Sequence, residues 1–230
     1  MDKNKSELKV CKSCIERFEP VVAAIERILK ETDKNPVVVA IDGKCASGKT
    51  TLGYYLQKLF DCNLFHMDDF FLQNHQRTQE RLNEPGGNVD YERFKEEVLT
   101  PLLAGKPVKY RIFNCSLRKI DREYEIAPKR LNIVEGSYSQ HPYFKNPYDL
   151  RVFLDIDTKT QTENIKKRNG PDKLDVFLNK WIPMENKYFE YFKIKENSLV
   201  IEWKEPVRKL TDYENDCVNK FTKSSWFMLK

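Results

Sequence analysis

The sequence predicts an α/β fold: a doubly wound parallel sheet with helices on both faces, built as a single domain over residues 1–230. Short continuous apolar runs alternate with segments whose apolar residues recur at helical spacing, a pattern typical of parallel sheets. The polar residues suited to chemistry follow the predicted strands, at the edge where such sheets bind ligands. A short pair of alternating strands interrupts this pattern and predicts a small inserted hairpin.

The predicted elements follow one another along the chain. A helix begins at Pro20, a favourable first helical residue, and ends near Asp33, and residues 1–19 are expected to be flexible. Buried strands are predicted at 37–41, 63–67, 131–134, 151–156 and 199–203. Further helices are predicted at 52–59, 91–103, 158–168 and 174–191, the last with a break near Pro183. Residues 74–88 are predicted as a long irregular loop, and strands at 108–113 and 123–126 as the hairpin of a substrate-side subdomain over about 105–128.

Composition narrows the class of protein. The 40 basic and 35 acidic residues give a net charge of +5 and are mixed along the chain, so we expect neither a nucleic-acid partner nor a membrane partner. No segment has the apolar length of a membrane span or a signal peptide, which favours a cytoplasmic protein. The 6 cysteines are scattered, as is typical of free thiols in a reducing compartment. Cys11 and Cys14 form a CxxC pair, but a zinc site would need a second pair of ligands.

The most informative segment runs from the first predicted strand into a helix. Gly43 to Thr50, GKCASGKT, match the P-loop pattern of a glycine, four free positions, Gly, Lys and Ser/Thr. Gly43 and Gly48 let the backbone curl so that its N–H groups face phosphate oxygens, Lys49 supplies a cation, and the Thr50 hydroxyl is placed to bind Mg²⁺. The motif therefore predicts ATP and Mg²⁺ as cofactors. The expected phosphate-binding residues are Gly43, Lys44, Cys45, Ala46, Ser47, Gly48, Lys49, Thr50 and Thr51.

Two acidic residues follow neighbouring strands. Asp68 comes directly after the second strand, so its carboxylate is expected to face the phosphate loop and to accept the proton of an attacking hydroxyl. Glu135 ends the strand at 131–134 and is placed to support Mg²⁺ or its water shell. Arg77 and Arg81, in the polar loop, are either solvated or placed to receive an acidic substrate.

Five sequence blocks, GKCASGKTT, HMDDFF, GGNVDYERF, IVEGSYS and KKRNG, resemble the uridine kinase family in order and spacing over about residues 36–203. That family is close to nicotinamide riboside kinases and related to phosphoribulokinases and bacterial pantothenate kinases. The resemblance implies that Asp68 is the catalytic base and lies near Mg²⁺, and that Asp90 binds ribose hydroxyls. It also implies that Tyr110 lines a base pocket and that Arg168 opens a lid over about 168–180, which makes Arg168 catalytic together with Asp68 and Lys49.

The chain departs from this family at two places. Asn114 and Cys115 stand where uridine kinases carry a base-contacting histidine, and Lys173 stands in a shorter lid in place of further arginines. His141, after EGSYS, is placed either to face the site or to support the structure.

The expected activity is transfer of phosphate from ATP, with Mg²⁺, to a primary hydroxyl of a small-molecule substrate, first of all the 5′ hydroxyl of uridine or cytidine. Two alternatives stay open: a kinase of an anionic metabolite such as pantothenate or a sugar phosphate, and a non-catalytic nucleotide-binding protein. The sequence leaves a homo-oligomer open as well.

Overall fold

The computed structural model describes residues 12–203, and the centre of this part is a five-stranded parallel sheet. The strands in chain order are β1 Val37–Gly43, β2 Cys62–His66, β3 Val108–Asn114, β4 Lys119–Ile126, β5 Leu131–Glu135, β6 Leu150–Asp155 and β7 Leu199–Glu202. The sheet has the order β2-β5-β1-β6-β7, while β3 and β4 pair antiparallel as a separate two-stranded hairpin. From β1 the chain crosses to β2 and β5 on one side and then to β6 and β7 on the other, so the predicted doubly wound parallel sheet with an inserted hairpin is confirmed.

Helices cover the sheet and lead into the site. They are α1 Lys12–Glu31, α2 Lys49–Leu59, α3 Gln79–Asn83, α4 Tyr91–Phe94, α5 Thr100–Leu103, α6 Thr158–Asn169, α7 Leu174–Val176 and α8 Ile182–Tyr191. A π-helical segment, Lys95–Leu99, joins α4 to α5, and another, Phe177–Trp181, joins α7 to α8. None of the helices within residues 12–203 combines the length and the apolar character needed to cross a lipid bilayer.

Two cores lie on opposite faces of the sheet. Successive side chains of a strand point to opposite faces, so alternate residues of β1 enter different cores. Val37, Val39 and Ile41 pack in the core that contains buried residues of α1 and α2. Val38 packs in the other core, which contains residues of α4, α8 and the hairpin. Because both faces of β1 are covered, the strand is buried along its whole length and holds the following loop in a fixed place.

The register brings three strand ends together. Ile41 of β1 is opposite Glu135 of β5, and Glu135 is in turn opposite His66 of β2. Parallel strands end at one edge of the sheet, so the residues after β1, β2 and β5 meet there. This edge carries the candidate site.

The N-terminal helix differs from its prediction. It begins at Lys12, and Pro20 lies inside it on an exposed face. The helix extends upstream because Phe18, Val21 and Ile25 form one apolar stripe that is almost fully buried, and this burial outweighs the backbone hydrogen bond lost at Pro20. Residues 12–19, predicted as flexible, are therefore helical, while residues 1–11, with Cys11 of the CxxC pair, lie outside the described residues.

Two other segments are more regular than predicted. The loop at 74–88 contains a 3₁₀ turn, Asn74–Gln76, and helix α3, whose N-terminus is capped by the Thr78 side chain. No break occurs at Pro183, which lies in the first turn of α8, after the π-helical segment. The helical backbone continues from Phe177–Trp181 into α8. The wider π-helical turns accommodate a proline that has no N–H to donate to the preceding turn.

Candidate active site

The phosphate loop connects β1 to α2, as the motif predicts. Gly43 has φ +136°, and a Cβ atom there would lie 2.3 Å from the Leu154 carbonyl oxygen, so this position requires glycine. Gly48 has φ +97° and directly precedes the first residue of α2. The loop backbone and the N-terminus of α2 thus meet at one place, which is an arrangement suited to binding a phosphate.

Lys49 lies across the mouth of this loop. Its Nζ donates to the carbonyl oxygens of Gly43 at 2.7 Å and Lys44 at 3.0 Å, and the side chain is buried. The ammonium group is therefore held beside the loop, where it can neutralise phosphate charge.

Thr50 and Glu135, the two residues predicted to support Mg²⁺, are in contact. The Thr50 hydroxyl lies 3.2 Å and 3.3 Å from the two Glu135 carboxylate oxygens. Both groups offer the hard oxygen ligands that Mg²⁺ prefers, and Mg²⁺ usually binds through one or two carboxylates together with substrate phosphates. No group of three or more His, Cys, Asp or Glu side chains suited to a metal occurs among residues 12–203. The donor set fits an ion that completes its coordination with phosphate and water.

His66 completes this cluster and was not predicted. Its Nδ1 lies 2.5 Å from Glu135 Oε1. Burial alone would lower the pKa of His66, but the hydrogen bond and charge of Glu135, with the charges of Asp69 and Asp68, raise the pKa to about 9. A protonated His66 donates this hydrogen bond to the Glu135 carboxylate.

Asp68 lies in a 3₁₀ turn, Met67–Phe70, that follows β2. Its side chain is accessible from the cleft, yet the surrounding protein removes part of its hydration. This desolvation and the nearby Glu135 charge raise the pKa of Asp68 to about 6, while Lys49, Arg168 and His66 act in the opposite direction. The carboxylate therefore lies among the charges of the phosphate side, and it is largely ionised at neutral pH, as a general base requires.

Arg168 lies near the end of α6, at the start of the predicted lid. Its Nε donates to the Asn169 side chain at 2.8 Å, and its guanidinium is 5.8 Å from the centre of the Phe177 ring. Its charge acts on both Asp68 and the Cys45 thiol. The fold thus brings a cation from the lid segment to the phosphate loop.

The predicted acceptor residues Asp90 and Tyr110 are buried and already have partners. One Asp90 oxygen accepts from the Arg93 backbone N–H at 3.1 Å and caps α4, and the other accepts from Arg93 Nε at 3.3 Å. Tyr110 stacks on Phe70, with ring centres 5.7 Å apart. Burial raises the pKa of Tyr110, and the Asp69 charge adds to that effect. Both residues shape the wall beside Asp68, and their contact with a substrate stays a prediction.

The two loop arginines have different surroundings. Arg81 forms a bidentate ion pair with Glu92, at 2.7 Å and 2.6 Å, donates to the Gly87 carbonyl, and lies 3.7 Å from the centre of the Tyr91 ring. These contacts hold the loop on α4 and give Arg81 a structural role, and its contact with a substrate stays a prediction. Arg77 is half-buried, and its charge lowers the pKa of Cys115.

Cys115 interacts with both Arg77 and Asp68. Burial raises the pKa of Cys115 to about 11, with further contributions from the Asp68 and Asp69 charges. Cys115 of the hairpin turn therefore lies near both Asp68 and Arg77 of the polar loop. His141, in contrast, is a structural residue: it stacks on Tyr91, with ring centres 4.3 Å apart, and burial lowers its pKa to about 4.

Sequence analysis missed two buried acids that hold the phosphate loop. Asp42 accepts hydrogen bonds from the Gly43 N–H at 2.8 Å and the Tyr188 hydroxyl at 2.9 Å. Glu185 accepts from the Cys45 N–H at 2.8 Å and the Ser137 hydroxyl at 2.6 Å. Asp42 had a signal in the sequence, since it is the one acid in an otherwise apolar strand, but Glu185 and His66 had none.

Comparisons with known proteins agree with this geometry. No protein-family model matches the chain. It is 26% identical over 181 residues to a uridine kinase from Bacillus licheniformis, a match that covers 68% of this chain and 82% of that protein. It is 25% identical over 139 residues to uridine-cytidine kinase C from Dictyostelium discoideum, covering 60% of this chain but only 31% of that longer protein. A solved structure described as a possible uridine kinase from Bacillus stearothermophilus has the same fold, with a TM-score of 0.61, 21% identity, and coverage of 81% of this chain and 97% of that one.

Proposed function

Because this chain is a uridine kinase-like kinase of the P-loop fold, we propose that it transfers the γ-phosphate of ATP to a primary hydroxyl of a small molecule, namely the 5′ hydroxyl of uridine or cytidine. One observation carries the proposal. Lys49, the Thr50–Glu135 pair and Asp68 converge at one edge of the sheet, so groups for phosphate, metal and proton lie side by side. The names of the sequence relatives support a nucleoside as the acceptor.

In the proposed reaction, the loop amides and Lys49 bind the phosphates. Thr50, Glu135 and Asp68 would hold Mg²⁺, which when bound would neutralise charge on the phosphates of ATP. His66 donates a hydrogen bond to the Glu135 carboxylate and so orients it. Lys49, Thr50, Glu135 and His66 act on the phosphate donor, while Asp68 also acts on the acceptor.

Asp68 performs the proton transfer. With its pKa raised to about 6 by desolvation and the Glu135 charge, its carboxylate is ionised at neutral pH and accepts the proton of the acceptor hydroxyl as that oxygen attacks the γ-phosphorus. Arg168, from the lid segment, closes over the transferring group, which limits the access of water and idle hydrolysis of ATP. Asp90 holds the sugar hydroxyls and Tyr110 lines the base pocket.

A second candidate acceptor is an anionic metabolite such as pantothenate or a sugar phosphate. Arg77 favours it, because this half-buried cation acts on Cys115 beside Asp68. Arg81 gives no support, since its guanidinium is paired with Glu92. With such an acceptor, the residues that bind ATP and Mg²⁺ keep the same roles, and only the acceptor molecule differs.

The test is an ADP-release assay on the purified full chain with Mg²⁺ and ATP or GTP, over a panel of nucleosides, pantothenate and sugar phosphates. We expect release that depends on uridine or cytidine, with the 5′-monophosphate identified by chromatography, and no such release from Lys49→Met. Turnover of anionic metabolites alone would replace the first acceptor with the second. Slow hydrolysis that no acceptor stimulates would overturn the kinase proposal in favour of a nucleotide-binding protein.

A further inference from the structure

Arg17 of α1 reaches the back of the phosphate loop. Its Nη1 donates to the Ser47 carbonyl oxygen at 2.9 Å. Its Nη2 donates to the carbonyl oxygens of Asp155 at 3.1 Å and Ile201 at 3.3 Å. One guanidinium therefore joins the phosphate loop to the ends of β6 and β7.

The Arg17 guanidinium is a partly buried cation with specific contacts. The guanidinium lies 4.7 Å from the centre of the Trp203 ring, and its buried Nε has no hydrogen-bond partner. Burial lowers the pKa of Arg17 to about 10, against the charges of Cys14 and Asp155, so the group stays protonated at neutral pH. Burying a cation is costly unless hydrogen bonds compensate, and here two of its nitrogens satisfy backbone carbonyls.

The contact with Ser47 has a geometric consequence. The Ser47 carbonyl and the Gly48 N–H belong to one planar peptide unit, and in a trans peptide they point in opposite directions. The cis peptide bond of the described chain is at Asn35–Pro36, so the unit at Ser47 is trans. Arg17 holds the carbonyl at the back of the loop, and the Gly48 N–H is therefore directed to the front.

The position of Gly48 agrees with this orientation. A Cβ atom on Gly48 would lie 3.7 Å from Arg17 Nη1, so the back of this residue faces the guanidinium. A cation bound to a carbonyl also polarises the peptide and strengthens its N–H as a donor. Both effects act on an amide that immediately precedes Lys49.

We propose that Arg17 is a positioning residue for nucleotide binding: it fixes and polarises the Ser47–Gly48 peptide so that the Gly48 N–H is preset to receive a phosphate oxygen. Arg17 itself touches no phosphate and acts through the loop. The inference rests on the proposed nucleotide site, but it is independent of which acceptor the enzyme uses.

The experiment measures Mg·ADP binding to the full chain by calorimetry for Arg17→Met and Arg17→Lys. We expect about a 10-fold increase in Kd for Arg17→Met, from the lost charge-assisted hydrogen bond, and an intermediate, several-fold increase for Arg17→Lys, which keeps the charge. The KM for the acceptor should stay at the parent value while the KM for ATP rises with Kd. Arg27→Met, the same substitution at an exposed position of α1, is the matched control and should bind Mg·ADP like the parent.

Each outcome separates this inference from the proposed function. If the parent protein binds no Mg·ADP, the proposed function itself fails. A parent that binds, together with an Arg17→Met variant of equal Kd, overturns the positioning role and leaves the kinase intact. Equal increases in the KM for ATP and acceptor also overturn it, because they indicate a general loss of structure. If circular dichroism finds Arg17→Met unfolded, Arg17→Lys decides, and a parent-like Kd in that variant refutes the proposal.

Discussion

We call residues 43–51 with Glu135 the donor side of the proposed site, and the segments from Asp68 to Cys115 its acceptor side. The two sides differ in how far the sequence predicts their contacts. On the donor side the predicted residues meet as expected, Lys49 at the loop and Thr50 at Glu135. On the acceptor side, Asp90 and Arg81 have found partners within the protein, Arg93 and Glu92. Phosphate binding uses the backbone of one contiguous segment, so residue spacing encodes it. Acceptor binding uses side chains from separate segments, and tertiary packing decides which of them stay available.

The largest expected effect is the loss of kcat on substitution of Asp68, for which the neighbouring Asp69 provides the comparison. Both acids interact with Glu135 and His66, but Asp68 also interacts with Lys49 and Arg168, whereas Asp69 also interacts with Arg93 and Arg122. Asp68→Asn should therefore lower kcat by about 100-fold or more, the usual contribution of a general base, while the Kd for Mg·ATP changes little. Asp69→Asn is the matched control and should cost less than about 10-fold. If Asp68→Asn turned over at nearly the parent rate in a steady-state assay, Asp68 would not be the general base.

The second prediction compares two buried titratable groups that contact the two sides: Asp42 accepts from Gly43 of the donor side, and His141 stacks on Tyr91 of the acceptor side. Burial lowers the pKa of His141 to about 4, with a smaller contribution of the same sign from Arg81, against the Pro85 carbonyl and Glu92. Below pH 6.5 the unfolded chain binds a proton that folded His141 does not, so His141 removes up to about 3 kcal/mol of stability between pH 6.5 and 4. Burial raises the pKa of Asp42 to about 6, against Lys49, so Asp42 adds stability of similar size as the pH falls from 6 to 3.8.

His141→Phe should isolate the contribution of His141, since it keeps an aromatic ring on Tyr91 and removes the titration. We expect the free energy of unfolding of the variant, relative to the parent protein, to rise by about 2–3 kcal/mol between pH 7 and pH 4. Urea unfolding at both pH values measures it. Taking the difference between the two proteins cancels all groups they share, Asp42 and His66 included. A pH-independent difference would contradict the assignment of His141 as a neutral, buried residue.

The third prediction tests the donor side. Thr50→Val keeps the shape of the side chain and removes the hydroxyl that contacts Glu135. The Mg²⁺ concentration for half-maximal activity should rise by about 10-fold or more, as is usual when a group at a metal site is lost. Thr50→Ser, which keeps the hydroxyl, is the control and should stay close to the parent protein. If Thr50→Val and Thr50→Ser required the same Mg²⁺ concentration, the Thr50 hydroxyl would not be a ligand of the metal.

These comparisons indicate how far the sequence alone could lead. The alternation of apolar runs predicted the strands, and the spacing of Gly43, Gly48 and Lys49 predicted the loop, because each depends on nearby residues. Contacts between distant segments could not be predicted: Glu185 accepts from the Cys45 N–H, and Arg17 donates to the Ser47 carbonyl oxygen, only after the sheet has formed. Pro20 gave a wrong start for α1 because the apolar stripe through Phe18 extends the helix upstream.

The smallest expected effect separates Arg77 from Arg81. Arg81→Met removes the ion pair with Glu92 and the contact with Tyr91, so it should lower the free energy of unfolding by about 1–2 kcal/mol and leave the acceptor KM unchanged. Arg77→Met should do the opposite, with stability within about 0.5 kcal/mol of the parent and a several-fold higher acceptor KM, since Arg77 lies beside Cys115 on the acceptor side of Asp68. Urea unfolding and steady-state kinetics on both variants measure the two effects. If Arg81→Met alone raised the acceptor KM, the loop would bind substrate through the arginine that the fold pairs with Glu92, and the contrast between the two sides of the cleft would be lost.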